Sequence, residues 1–210
     1  MSKPIDWAAL RGKHPAFDYL PASLRRAATQ VSFTQGDALF RLGDKPGAMF
    51  YLLSGEVHLL RRSRDGGEII LQRTRSGFLA EASLESERYH CDAIAAESGE
   101  SLRFPARAFG EALARNAAFR NGWIAHLVRE VRRLRAQCER LSLNSAAERI
   151  VHYIESEGAN RAVVLTQTKK AWAAELGMSH EALYRALRRL QQQGVILVEG
   201  ARIARKSARG

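Results

Sequence analysis

The chain has 210 residues, with 33 Lys and Arg against 22 Asp and Glu for a formal net charge of +11, and 46% hydrophobic and 26% charged residues. That is enough for one or two domains with real cores, and it excludes a disordered chain or a fibrous repeat. No apolar run approaches the ~18 to 20 residues that span a bilayer, and residues 1–7 lack the apolar stretch of an export signal. The expected compartment is the cytosol. Cys91 and Cys138 lie far apart and outside any CxxC, so neither a disulfide framework nor a cysteine-based metal centre is supported.

The excess charge is not evenly spread. Residues 1–111 carry 15 basic and 14 acidic groups, residues 112–144 carry 7 and 2, and residues 145–210 carry 11 and 6. A polyanion is therefore expected on the C-terminal half.

From Phe33 to about Phe104, short apolar runs alternate with Gly and Asp. Phe50–Leu53, Val57–Leu60 and Ile69–Leu71 are strand candidates. Arg64-Asp65-Gly66-Gly67-Glu68 predicts a tight hairpin turn, and Gly36-Asp37, Gly43-Asp44 and Ser54-Gly55 mark further turns or bulges. This texture predicts a β-roll or small barrel over residues 1–111.

Past Pro105, Ala, Leu, Arg and Glu take over. Ile124, Leu127, Val131, Leu134, Cys138 and Leu141 follow at spacings of 3-4-3-4-3. An apolar stripe repeating about every 3.5 residues on an Arg-rich helix suits two helices interlocking side by side. Residues 112–143 are read as a dimerisation helix ending in a hinge at Leu141–Ser145, and the chain as a homodimer. The alternative is a helix packed on its own β domain.

Ser145-Ala146-Ala147-Glu148 has the form of a capping box that starts a helix running to Gly158, and Val163-Val164-Leu165 reads as a short strand. Lys169–Leu176 predicts one helix, ended by Gly177 in a left-handed conformation, and Ser179 caps a second from His180 to about Gln193. This is a helix-turn-helix. Ala173 permits close helix crossing, while Trp172, Leu176, Leu183, Ala186, Leu187 and Leu190 face the core. The opposite face offers His180, Glu181, Tyr184 and Arg185 to base edges, with Arg188 beside them. Arg185 suits guanine O6 and N7, and Glu181 suits cytosine N4, predicting a G·C-containing half-site. Thr168, Lys169, Lys170, Ser179 and Arg188 are candidate phosphate contacts, as are Arg202 and, more weakly, Arg205. Glu181 and Arg185 also fit a simple i,i+4 surface pair. Val195–Ile203 reads as a β-hairpin wing closing residues 144–210.

Taken together, several segments resemble the Crp/Fnr family of bacterial transcription regulators over nearly the whole chain. They are Gly36-Asp37-Ala38-Leu39-Phe40, Gly43-Asp44, Tyr51-Leu52-Leu53-Ser54-Gly55, Asp65-Gly66, Leu141-Ser142-Leu143, Glu148-Arg149-Ile150, Leu165-Thr166 and Gly177-Met178-Ser179-His180-Glu181 with Arg185. The resemblance implies an α+β fold: a cupin-like, cyclic-nucleotide-binding-like β-roll, a long dimerisation helix and a C-terminal winged helix-turn-helix. It implies a homodimer on double-stranded DNA carrying an inverted repeat, and it allows RNA polymerase as a further partner. No membrane association is expected.

The effector position departs from the cyclic-AMP-binding pattern. Ala80-Glu81 stands where such members have Gly-Glu, and Tyr89-His90-Cys91-Asp92 where they have the Arg-Ser pair that clasps the phosphate. Leu134 and Arg135 replace the hydroxyl pair that holds adenine. Cyclic AMP is therefore not the expected effector. Glu81, Ser83, His90, Cys91, Leu134 and Arg135 are candidate pocket residues for an unknown effector, and the cofactor is unknown. A regulator with no effector is equally compatible. Neighbouring positions on a strand face opposite ways, so His90 and Cys91 would not share a metal.

Two rivals remain. A cupin-type metal-binding protein would need several histidines and a carboxylate, yet His58 and His90 stand alone. An adaptor whose C-terminal domain binds protein conflicts with the basic C-terminal half. The sequence carries no catalytic signature, and the expectation is a non-enzyme.

Overall fold

The computed structural model describes residues 4–62 and 68–206, so the apex of the turn expected at Arg64–Glu68 lies outside the described residues. The chain divides into two compact units, Met1–His126 and Leu127–Gly210.

The first unit opens with α1 (Trp7–Arg11), capped by the Asp6 carboxylate, and α2 (Ala22–Ala27). Six antiparallel strands follow: β1 (Thr29–Phe33), β2 (Ala38–Phe40), β3 (Ala48–Arg62), β4 (Glu68–Thr74), β5 (Gly77–Leu79) and β6 (Asp92–Pro105). Their order is β1-β6-β3-β4, with β2 on β6 and β5 on β3. Ala48 to Leu52 are buried without alternation, so this half of β3 is covered on both faces.

The separate strands read at Phe50–Leu53 and Val57–Leu60 are one strand. Gly55 takes φ +82° and produces a register shift against β6 rather than a turn. The backbones meet closely there: a Cβ on Gly99 would lie 2.1 Å from the Ser54 carbonyl oxygen. Phe78 is the hub of the core, with ring centroids 4.9 Å from Tyr51, 5.0 Å from Trp123 and 5.9 Å from Phe109.

Helix α3 (Ala106–Arg115) precedes the long α4 (Ala117–Ser142). Residues 112–115, read as part of the long helix, belong to α3. The break falls at Asn116, whose side-chain oxygen accepts the Phe119 amide at 2.8 Å and starts a new helix.

The second unit holds the end of α4, then α5 (Ala146–Glu157), β7 (Ala162–Val164), α6 (Lys169–Glu175), α7 (His180–Gln192), β8 (Ile196–Glu199) and β9 (Arg202–Arg205), the strands in the order β7-β9-β8. The capping box at Ser145 and Glu148 forms reciprocally, and Gly177 takes φ +65°. Ile150, Ile154, Trp172, Leu176, Leu183, Leu187, Leu190, Ile196 and Ile203 make the core. The strand expected at 163–165 begins and ends one residue earlier, and Leu165 turns into that core.

Candidate nucleic-acid interface and effector position

Helix α7 buries Leu183, Ala186, Leu187 and Leu190 and exposes His180, Glu181, Tyr184, Arg185 and Arg188. The division follows from the 3.6-residue period. Ser179 caps the helix by accepting the Ala182 amide at 3.1 Å, and Thr168 caps α6 by accepting the Ala171 amide at 3.2 Å. Capping uses an oxygen lone pair, so each hydroxyl proton stays available to an acceptor such as phosphate.

Glu181 and Arg185 form the surface pair at 3.7 Å, with side chains 85% and 74% exposed. A pair this open contributes about 0.3 to 0.5 kcal/mol and yields to any better partner. Two contacts on this face escaped the sequence reading. The Tyr184 ring packs edge-on against His180 at 4.6 Å, and the Lys169 ammonium sits over it at 5.6 Å. Their i,i+4 spacing was the available signal for the first of these. Lys170 is exposed, Arg202 is paired with Glu199 at 2.9 Å, and Arg205 is paired with Glu155.

Along α4 the apolar stripe lies open. Ile124, Leu127, Val131, Leu134 and Leu141 are between 36% and 52% exposed, Val128 joins them, and Cys138 is exposed.

The effector position in the β-roll is different in kind. Ala80 adopts a left-handed backbone, φ +76°, which costs a residue with a Cβ about 1 kcal/mol or more. Glu81 starts a short 3-10 turn, Glu81–Ser83, and its carboxylate accepts from His126 Nε2 of α4 at 3.2 Å. His126 was not singled out from the sequence, where nothing but topology connects the two. Ser83, buried, bonds His90 Nδ1 at 3.0 Å.

His90 and Cys91, read as strand residues, lie in bends before β6. The Tyr89 backbone bonds Gly43 and Asp44 at 2.9 and 2.8 Å and turns the chain there. His90 is nonetheless exposed, whereas Cys91 is in the core, its thiol pKa pushed up first by burial and then by Asp92. Arg88 donates to the Gly43 carbonyl at 2.9 Å. Leu134 and Arg135 are exposed on α4. Among the described residues no three His, Cys, Asp or Glu gather as a metal site, and no helix is long and apolar enough to cross a membrane.

The chain combines an antiparallel β-roll, a long helix and a three-helix unit with a β wing, and residues 30–116 match the family model described as the cyclic nucleotide-binding domain. The DNR protein of Pseudomonas aeruginosa is similar at 26% identity over 99% of this chain and 97% of its own, with a TM-score of 0.55. The catabolite activator protein of Thermus thermophilus shares 24% identity over 92% of this chain and 94% of its own (TM-score 0.50). FixK2 of Bradyrhizobium japonicum shares 19% over 86% and 93%, with a TM-score of 0.63. These last two bear on the fold alone. No curated protein matches the sequence. The family match thus covers the β-roll, and the chain as a whole is similar in architecture to regulators of the Crp/Fnr type.

Proposed function

We propose that the chain is a homodimeric, sequence-specific DNA-binding transcription regulator whose β-roll does not take cyclic AMP. Residues 1–111 serve sensing, 112–143 dimerisation and 144–210 DNA reading. The observation that carries this reading is the α7 face, where His180, Glu181, Tyr184, Arg185 and Arg188 all stand in solvent over a fully buried opposite face. Arg185 and Glu181 are suited to a guanine and a cytosine edge. Thr168, Lys169, Lys170, Ser179, Arg188 and Arg202 would hold phosphate oxygens and fix the register.

Dimerisation is supported by the uncovered stripe on α4, and it places two α7 helices on one duplex with half-sites about 34 Å apart. The similar DNR protein is named as a transcriptional regulator, which supports a non-enzymatic role. Against cyclic AMP stand the Glu81–His126 pair, which occupies the carboxylate a ribose would need, and the lack of the Arg-Ser pair that clasps the phosphate. Ser83 and His90 are likewise paired with each other, and an effector of other chemistry, if one acts, would have to break these contacts.

Sequencing of duplexes selected by the purified protein from a random pool tests the proposal. The expected product is an inverted repeat with a G·C pair in each half-site. A pool without a shared repeat would overturn both base reading and two-fold symmetry.

A further inference from the structure

The short link between α4 and α5, residues 143–145, is spanned by one side chain. Arg149, in the first turn of α5, spends its guanidinium on four backbone carbonyls. Nε donates to Leu143 at 2.9 Å and Nη2 to Leu141 at 3.2 Å, while Nη1 donates to both Leu176 at 3.1 Å and Gly177 at 3.0 Å. The first two carbonyls end α4, and the other two end α6. Each helix leaves unpaired carbonyls and a partial negative charge at its C-terminus. Here two such termini converge on one cation whose planar donors spread in several directions, as an ammonium's cannot.

The contact is tight from the other side as well. A Cβ on Gly177 would lie 2.8 Å from Leu141 Cδ2 and 3.2 Å from Arg149 Nη1, so the turn packs against both side-chain tips, while its φ of +65° is what calls for glycine. One helical turn deeper, Arg140 of α4 is 1% exposed, lies over the Tyr153 ring at 4.7 Å and donates to Glu157 at 3.2 Å.

We infer that Arg149 is the positioning residue of the DNA-reading element: it fastens the end of α4 to the turn that launches α7, so that the direction of α4 dictates the direction of the recognition helix. The inference rests on the DNA-binding reading above. It goes further in stating how orientation reaches the site. Arg149 touches no base. It acts through Leu176 and Gly177, two residues ahead of the Ser179 cap.

The test needs a readout without DNA and one with it. In full-length protein carrying Cys138→Ser, nitroxide labels at Arg132→Cys on α4 and Gln191→Cys on α7, diluted with unlabelled chain, report the angle between the helices as a distance distribution. A single narrow distribution is expected, and Arg149→Met should broaden or shift it. Arg149→Lys, which keeps the charge but not the fork, should do the same to a lesser degree. On DNA, Arg149→Met should weaken binding to the correctly spaced repeat by about tenfold or more, because the two half-sites are no longer engaged together. Preference among spacings should flatten, while affinity for a lone half-site stays within about twofold.

An unchanged distance distribution in both variants overturns the inference and leaves DNA binding untouched. Equal losses on the full repeat and the lone half-site also overturn it, since they mark a merely structural residue. A wild-type chain that retards no duplex at low salt overturns the reading beneath it. That failure is told apart because the distance measurement contains no DNA.

Discussion

The two functional regions handle polar groups in opposite ways. On α7, Glu181 and Arg185 meet only each other, at 3.7 Å and in open water. At the effector position, Glu81 and His126 meet at 3.2 Å with side chains 15% and 16% exposed, Ser83 is bonded to His90, and Arg88 to Gly43. The same kind of contact has different consequences at these exposures. A solvated pair holds its members so weakly that a base edge displaces the partner at little cost, whereas a half-buried pair must be broken at the full desolvation cost before a ligand gains anything. On the proposed reading, one region is a surface open to an outside partner, and the other has its carboxylate paired from within.

The largest effect is expected where the prepared surface has to be doubled. Val131→Glu with Leu134→Glu puts two carboxylates into the exposed stripe on α4 and should yield monomers by sedimentation, with affinity for the inverted repeat falling by about 100-fold or more as bivalency is lost. Thiol chemistry gives an independent check. Cys138 is exposed in the stripe while Cys91 is buried, so mild oxidation should join wild-type chains through Cys138 alone, and the double variant should stay unjoined. Sustained dimers in that variant would move the interface elsewhere. Next in size is Arg185→Ala, which should relax discrimination at one base pair per half-site by about 1 to 3 kcal/mol. Lys169→Ala should instead weaken all sequences alike and lower the salt dependence by about one counterion. Binding profiles that change identically in the two variants would remove the distinction between base and phosphate contacts.

How much of this was legible in the sequence divides along the same line. The winged unit was readable almost residue by residue, because its signals are local: the Ser145–Glu148 box, Gly177, the Ser179 cap and the 3.6-residue burial of α7 are all written within one or two turns. Two separate β3 strands were read where there is one, since a glycine at positive φ serves a bulge as well as a turn. The effector position was the least legible. Glu81 and His126 are 45 positions apart, and no local pattern announces that a helix will return a histidine to that acid. Arg149 was visible only as part of a familiar motif, and its four carbonyls exist only once α4 and α6 are brought together.

On the satisfied side the expected effects are smaller. His126→Ala leaves the Glu81 carboxylate half-buried without its donor and removes a ring packed against Phe78 and Trp123, so it should cost about 2 to 3 kcal/mol, seen as a lower unfolding midpoint of the β-roll. An unchanged midpoint would mean the pair is no better than a surface contact, and the contrast between the regions would fail.

The smallest effect is expected from Ala80→Gly, and its smallness is informative. Glycine relieves a left-handed conformation that costs alanine about 1 to 2 kcal/mol. It also loses a buried methyl worth about 0.8 kcal/mol, and it loosens the unfolded chain by about 0.4 to 1 kcal/mol. These terms nearly cancel, so stability should move by less than about 1 kcal/mol in either direction. The substitution restores the backbone room that a cyclic nucleotide needs but leaves Glu81 on His126 and Arg88 on Gly43. Calorimetry with cyclic AMP should therefore stay silent in this variant, as in the wild type. Micromolar binding after this one change would show that a single methyl, and not the internal pairing, closes the position.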